Sequence, residues 1–164
     1  APESLIFYAG LLAPPTRSAV SLELLLEDYF GVPVSVESFV GGRYRIHGSD
    51  LCRVGEEGRP QRLGSGAVVG DEVWDPSARI RIRLGPLDRA RYDAFLPGGR
   101  DHQPLKSLVR FFGHDRVEAE GQLVLRREQV KGVVLGGAPT PLAWATWLRT
   151  EPLDRDPEDT ILVL

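Results

Sequence analysis

The chain has 164 residues, 42% hydrophobic and 26% charged, with a formal net charge of −3; that is enough for one domain with a real core, and it excludes a wholly disordered chain and the basic footprint of a free-standing nucleic-acid binder. Its 18 glycines and 13 prolines cut it into short elements, which excludes long bundles and coiled coils, and no apolar run approaches the ~20 residues of a bilayer-spanning helix. A single cysteine, Cys52, allows no internal disulfide and fits a reducing compartment.

In chain order, residues 5–13 are apolar and stop at Pro14-Pro15, as the tail of a helix would. The chain starts Ala-Pro-Glu and lacks methionine, which suggests a piece of a longer protein. The spacing predicts a helix over 16–30, capped by Thr16 or Ser18, with Leu22, Leu25, Leu26 and Tyr29 as its buried stripe and Glu23, Glu27 and Asp28 on a solvated face. Gly31 suits a left-handed cap, and Pro33 prevents the helix from resuming. Alternation then predicts a strand over 34–40, broken by Gly41-Gly42, with a short return through Tyr44 and Ile46. Residues 48–70 are Gly-rich and charged, without a sustained period; a loop that long is expected to be functional or mobile.

Arg79-Ile80-Arg81-Ile82-Arg83-Leu84 is the sharpest strand signal, with arginines on one face and apolar residues on the other. Gly85-Pro86 is expected to turn it into a helix over 88–96, capped by Asp88. A third helix is predicted over 104–112, with Leu105, Leu108, Val109 and Phe112 on its stripe and Phe111 off it. Residues 116–126 alternate as a strand, with shorter strands expected at 133–135 and 142–148 and a loose acidic tail at 154–159. Interleaved short elements of this kind imply an α+β fold, loop-rich, with about three helices and mostly antiparallel strands. The chain reads as a single domain over 1–164, or as two small lobes divided near residue 70.

Candidate chemistry is sparse. His47, His102 and His114 lack metal-ligand spacing to one another or to Cys52 and read as loop or turn residues. No Gly-x-Ser-x-Gly elbow or Walker loop occurs. The glycines of 64–70 are spaced like a variant dinucleotide loop, which leaves a small-molecule or nucleotide binder as the alternative reading; yet that motif needs a buried strand before it and a helix after it, and Pro76 cuts any such helix short. The row Arg79, Arg81, Arg83 allows three readings: a wet sheet face, cross-strand pairing with Glu118 and Glu120, or a docking surface. Phe111 is the best candidate for an interface aromatic.

The order of motifs carries a further inference. Tyr8-Ala9-Gly10-Leu11-Leu12, then 25–34 with its Asp28-Tyr29-Phe30-Gly31-Val32-Pro33, then Val73-Trp74-Asp75, 81–87, Phe95-Leu96-Pro97-Gly98-Gly99 and Leu108-Val109-Arg110-Phe111 resemble, in that order, the TssG family (also ImpH or VasB), the baseplate wedge subunits of the bacterial type VI secretion system. The resemblance runs from Tyr8 to Leu148. Family chains carry a further N-terminal portion, and Ala143 stands where they usually have Gly before Trp144. The resemblance implies a non-enzymatic structural subunit without a cofactor. Its partners would be TssF, TssK, TssE and the spike protein VgrG, at a cytoplasmic, inner-membrane-associated baseplate, with no nucleic acid and no membrane insertion. Arg79, Arg81, Arg83 and Phe111 are then the candidate partner contacts.

Overall fold

The computed structural model describes residues 8, 10, 18–55, 58, 61–64, 66–77, 79–114, 117–132, 144–148, 151 and 153–164. Helix α1 (Ala19–Phe30) starts at Ser18, whose Oγ accepts the Ser21 N–H at 3.1 Å, and ends at Gly31, φ 63°, whose N–H donates to the Glu27 carbonyl. Leu22, Leu25 and Leu26 are buried as expected, but Tyr29 is 42% exposed. Phe30 takes the inward place instead: its ring meets Phe95 edge-on at 5.1 Å and Tyr29 edge-on at 4.8 Å.

Strand β1 (Val34–Glu37) is shorter than its alternation predicts, because Phe39 (φ 64°) and Gly41 (φ 75°) bend the chain away. It forms one edge of a four-stranded sheet, and its pairing with β4 (Arg79–Leu87) is antiparallel. The acidic face of α1 closes that edge. Glu27 accepts the Val34 N–H at 3.1 Å and Glu23 accepts the Val36 N–H at 2.7 Å, while Asp28 accepts the Tyr8 hydroxyl at 2.6 Å. That bond pushes the buried Tyr8 phenol up to about 12. Glu27 and Asp28 are exposed and Glu23 is half-buried, as expected of a solvated face, yet all three carboxylates also serve as structural partners.

Gly85-Pro86 does not end β4. The strand continues through a register shift to Leu87, and the Gly85 N–H donates to the Pro33 carbonyl at 2.9 Å. A Cβ at Gly85 (φ 127°) would stand 2.5 Å from the Val124 carbonyl oxygen, so only glycine fits there. β4 pairs in parallel with β5 (Glu118–Leu125). A parallel pair needs a crossover, and α2 (Arg89–Phe95) and α3 (His102–Gly113) supply it. Asp88 caps α2 by accepting the Arg91 N–H at 2.8 Å. α3 starts two residues ahead of Pro104, which leaves the proline in the first turn, where an N–H is not needed. His102 is buried with Nδ1 3.0 Å from the Phe95 carbonyl, unlike the loop residue expected from its isolation. Tyr92, Phe95, Leu105, Val109 and Phe112 form the core with Ile82, Leu84, Leu123 and Leu125.

The last strand, β6 (Thr160–Val163), pairs antiparallel with β5 and gives the sheet order β1-β4-β5-β6. The acidic segment before it is held in place: Asp156 accepts the Arg127 N–H, the Pro157 carbonyl accepts the Leu125 N–H, and Glu158 pairs with Arg83. The Thr160 and Tyr92 hydroxyls meet at 2.6 Å, and both reach the Trp144 carbonyl, which ties α2, β6 and residue 144 together inside the core. Within 142–148 the described residues form a single parallel bridge, Gly132 to Trp147, and not the strand predicted. The strand expected at 133–135 lies outside the described residues. A separate two-stranded sheet joins β2 (Gly42–Arg45) to β3 (Glu72–Asp75), the latter unforeseen in the sequence. The α+β class and the predominance of antiparallel pairs hold, with β4–β5 as the parallel exception.

Substitution at two positive-φ glycines separates steric from conformational cost. Gly98 (φ 88°) has nothing within 4 Å of an added Cβ, so Gly98→Ala should lose about 1 kcal/mol. Gly85→Ala adds the collision with Val124 and should lose about 3 kcal/mol or more. Urea denaturation of both variants checks the ordering; equal losses contradict it.

Candidate interaction surface

Alternate residues of a strand project from one face, so the sheet register decides what the arginine row meets. Arg79 lies opposite Glu118; Arg81 lies between Glu37 and Glu120; Arg83 lies between Ser35 and Gln122. The charges close into a ladder. Arg79 reaches Glu118 at 3.0 Å and Glu120 at 3.5 Å, and Arg81 reaches Glu120 at 2.6 Å and Glu37 at 3.7 Å. Arg83 finds Glu158 from the tail at 3.0 Å, and the Glu158 carbonyl also accepts from Gln122. Glu120 is the hub, with its residue only 8% exposed and two guanidinium groups on its carboxylate. The cross-strand pairing foreseen as one of the three readings is present, and it leaves alternating charge on this face instead of a net positive row.

Tyr44 on β2 stands at the Arg79 end of the ladder. Its buried hydroxyl faces the Glu118 carboxylate. Burial pushes the Tyr44 phenol up, while the phenol and the Arg79 guanidinium hold the Glu118 carboxyl below its ordinary value. A carboxylate with a depressed folded-state pKa contributes stability above its ordinary pKa of 4.5 and loses it as pH falls further.

Phe111 is half exposed near the end of α3, beside the buried Phe112. Other exposed apolar residues cluster in sequence on the loop after β2: Val54, Leu63 and Val69 are each at least 96% exposed. Trp74 is 58% exposed, and its ring covers Gly41 so closely that a Cβ there would collide with it.

Nothing described forms a catalytic constellation. Cys52 is exposed, and no group of three His, Cys, Asp or Glu residues among the described residues could hold a metal ion. The 64–70 segment leads into β3, not into a helix, so a phosphate there would meet no helix N-terminus. A cavity of about 350 Å³ between α1, β1 and α3 is lined mainly by apolar side chains, among them Leu22, Val36, Ile80, Val109, Phe112 and Val117. No described helix is long and apolar enough to cross a membrane.

Sequence reasoning missed Glu23 and Glu27, although their i, i+4 spacing just before an edge strand is the signal for this arrangement. It also missed Glu158, whose partner Arg83 lies 75 residues away. Because Glu120 serves two arginines from a nearly buried position, Glu120→Gln should lower stability by about 2 kcal/mol at pH 7. Glu118→Gln should flatten the loss of stability seen on acidification below pH 4.5. Thermal melts across pH check both; an unaltered acid limb in the second variant contradicts the ladder's part in it.

A family profile described as type VI secretion, TssG, matches residues 1–149. Among solved structures, the chain is similar to one in a cryo-electron microscopy structure of the type VI secretion system TssK-TssF-TssG baseplate subcomplex, with a TM-score of 0.70, 19% identity, and coverage of 99% of this chain and 66% of that one. It is also similar to a chain in the baseplate complex from the type VI secretion system, with a TM-score of 0.63, 20% identity, and coverage of 97% and 45%. The chain thus spans just under two thirds of the first solved chain and less than half of the second. At these identities the likeness is one of fold. No curated protein matches. The profile match covers most of the sequence, and on that ground the chain belongs to the TssG family of type VI secretion proteins.

Proposed function

We propose that this chain is a structural subunit of the type VI secretion baseplate: a C-terminal-type domain of a TssG protein that forms wedges with TssF and contacts TssK, working by buried surface and not by catalysis. The family match over 1–149 carries this reading. The outward apolar side chains Val54, Leu63 and Val69 on a long loop agree with it, since they suit a segment covered by a partner. TssE and VgrG complete the proposed neighbourhood, on the cytoplasmic side of the inner membrane.

Within that reading, Phe111 and the ladder arginines Arg79, Arg81 and Arg83 are the proposed contacts. The arginines are already paired with carboxylates, so they offer a fixed pattern of alternating charge. Such a pattern suits a protein surface of complementary pattern better than a phosphate backbone, which rewards net positive charge.

Co-expression with TssF and TssK, followed by gel filtration, tests the proposal. A stable complex should form, hydrogen exchange across 48–70 should slow within it, and Phe111→Ala should weaken it by about tenfold or more. Failure of the chain to co-elute with either protein overturns the reading.

A further inference from the structure

The two edges of the four-stranded sheet are built differently. At β1 the outward N–H groups of Val34 and Val36 are taken by Glu27 and Glu23 of α1, so the donors of that edge are occupied. At β6 the pattern is open. The Leu164 N–H donates to the Ala119 carbonyl at 3.0 Å. Antiparallel pairs alternate between bonded and non-bonded positions, so Thr160 and Leu162 direct their backbone groups at β5, and Ile161 and Val163 direct theirs outward. Among the described residues, no side chain or backbone group bonds to those outward positions, and Ile161 and Val163 are 45% and 80% exposed.

Side-chain chemistry narrows the occupant. Proteins usually guard a free edge with lysine, proline, a bulge or a covering element, and β6, Thr-Ile-Leu-Val, has no charge, proline or glycine. The charges on the outer face are satisfied among themselves: Arg81 by Glu120 and Glu37, Arg83 by Glu158. An incoming strand next to Ile161 and Val163 would therefore meet a neutral, β-branched margin, and a charged one would find no counter-ion left over. The occupant that fits is an extended, uncharged segment with apolar or β-branched residues at alternate positions.

We propose that the β6 edge receives such a segment from a baseplate partner as a fifth strand, held by main-chain hydrogen bonds to Ile161 and Val163. This rests on the baseplate reading above. The test is hydrogen exchange of the full chain, alone and in complex with TssF and TssK. Alone, the Ile161 and Val163 amides should exchange freely; in the complex they should slow by about a hundredfold or more, as paired strand amides do. Val163→Lys, at a position already exposed, and Val163→Pro, which removes an N–H that β5 does not use, should each weaken the complex by about tenfold or more while the melting temperature of the isolated chain stays unchanged. Failure of any complex to form overturns the baseplate reading together with this one. A complex in which both amides still exchange freely, or that tolerates both variants, overturns strand addition alone. Protection already present in the isolated chain would place a segment of its own on the edge, and protection that rises with its concentration would place a second copy there; either result overturns the proposal.

Discussion

Two strands that run the same way cannot be joined by a tight turn, and the parallel pairing of β4 with β5 sets the terms for the rest of this molecule. The chain must leave the sheet after Leu87 and return at Glu118, and the excursion is spent on α2 and α3. Their inward residues Tyr92, Phe95, Leu105, Val109 and Phe112 are what the apolar residues of β4 and β5 pack against. The same register brings Arg79 to Glu118 and Arg81 to Glu120 on the opposite face. Core and charge ladder are two consequences of one alignment, so a slip of one residue would exchange the two faces and lose both.

Period-two alternation made β4 readable, and the heptad-like spacing of Leu22, Leu25 and Leu26, with Ser18 before and Gly31 after, made α1 readable. Asp88 marked α2 because an N-cap is a local device with a local signature. What escaped notice depends on distant partners. Thr160-Ile161-Leu162-Val163 has strand-forming residues but shows no period-two alternation of polarity; it alternates by burial, and its inward members are Thr160 and Leu162 because Tyr92 and β5 await them. The two-stranded sheet was missed because Glu72-Val73-Trp74-Asp75 is exposed along its length and shows no buried face. Gly85-Pro86 has the composition of a turn, but it sits inside β4, where the Gly85 N–H bonds to the Pro33 carbonyl and the backbone of Val124 leaves room for glycine alone.

The surface was less legible than the core. The arginine row is obvious as a pattern, yet its state depends on Glu120 and Glu158, one in the neighbouring strand and one in a tail that its acidity alone would leave in solvent. The family resemblance, by contrast, was carried by short apolar and glycine motifs spread from Tyr8 to Leu148, many of which belong to the core and its turns: Leu25, Leu26, Phe30 and Gly31, Leu84, Phe95 and Leu96. Framework residues of that kind identify a fold family and leave partner contacts unassigned.

The family profile ends at residue 149, while the strand that completes the sheet begins at Thr160. A boundary drawn at the profile's end would remove the hydroxyl that Tyr92 meets and the Leu162 side chain from the core, and it would lay bare the flank of β5, whose Leu123, Val124 and Leu125 are fully enclosed. Homology spans and folding units are different objects in this protein. A recombinant piece designed on the first would be expected to expose a sticky hydrophobic margin that the second conceals.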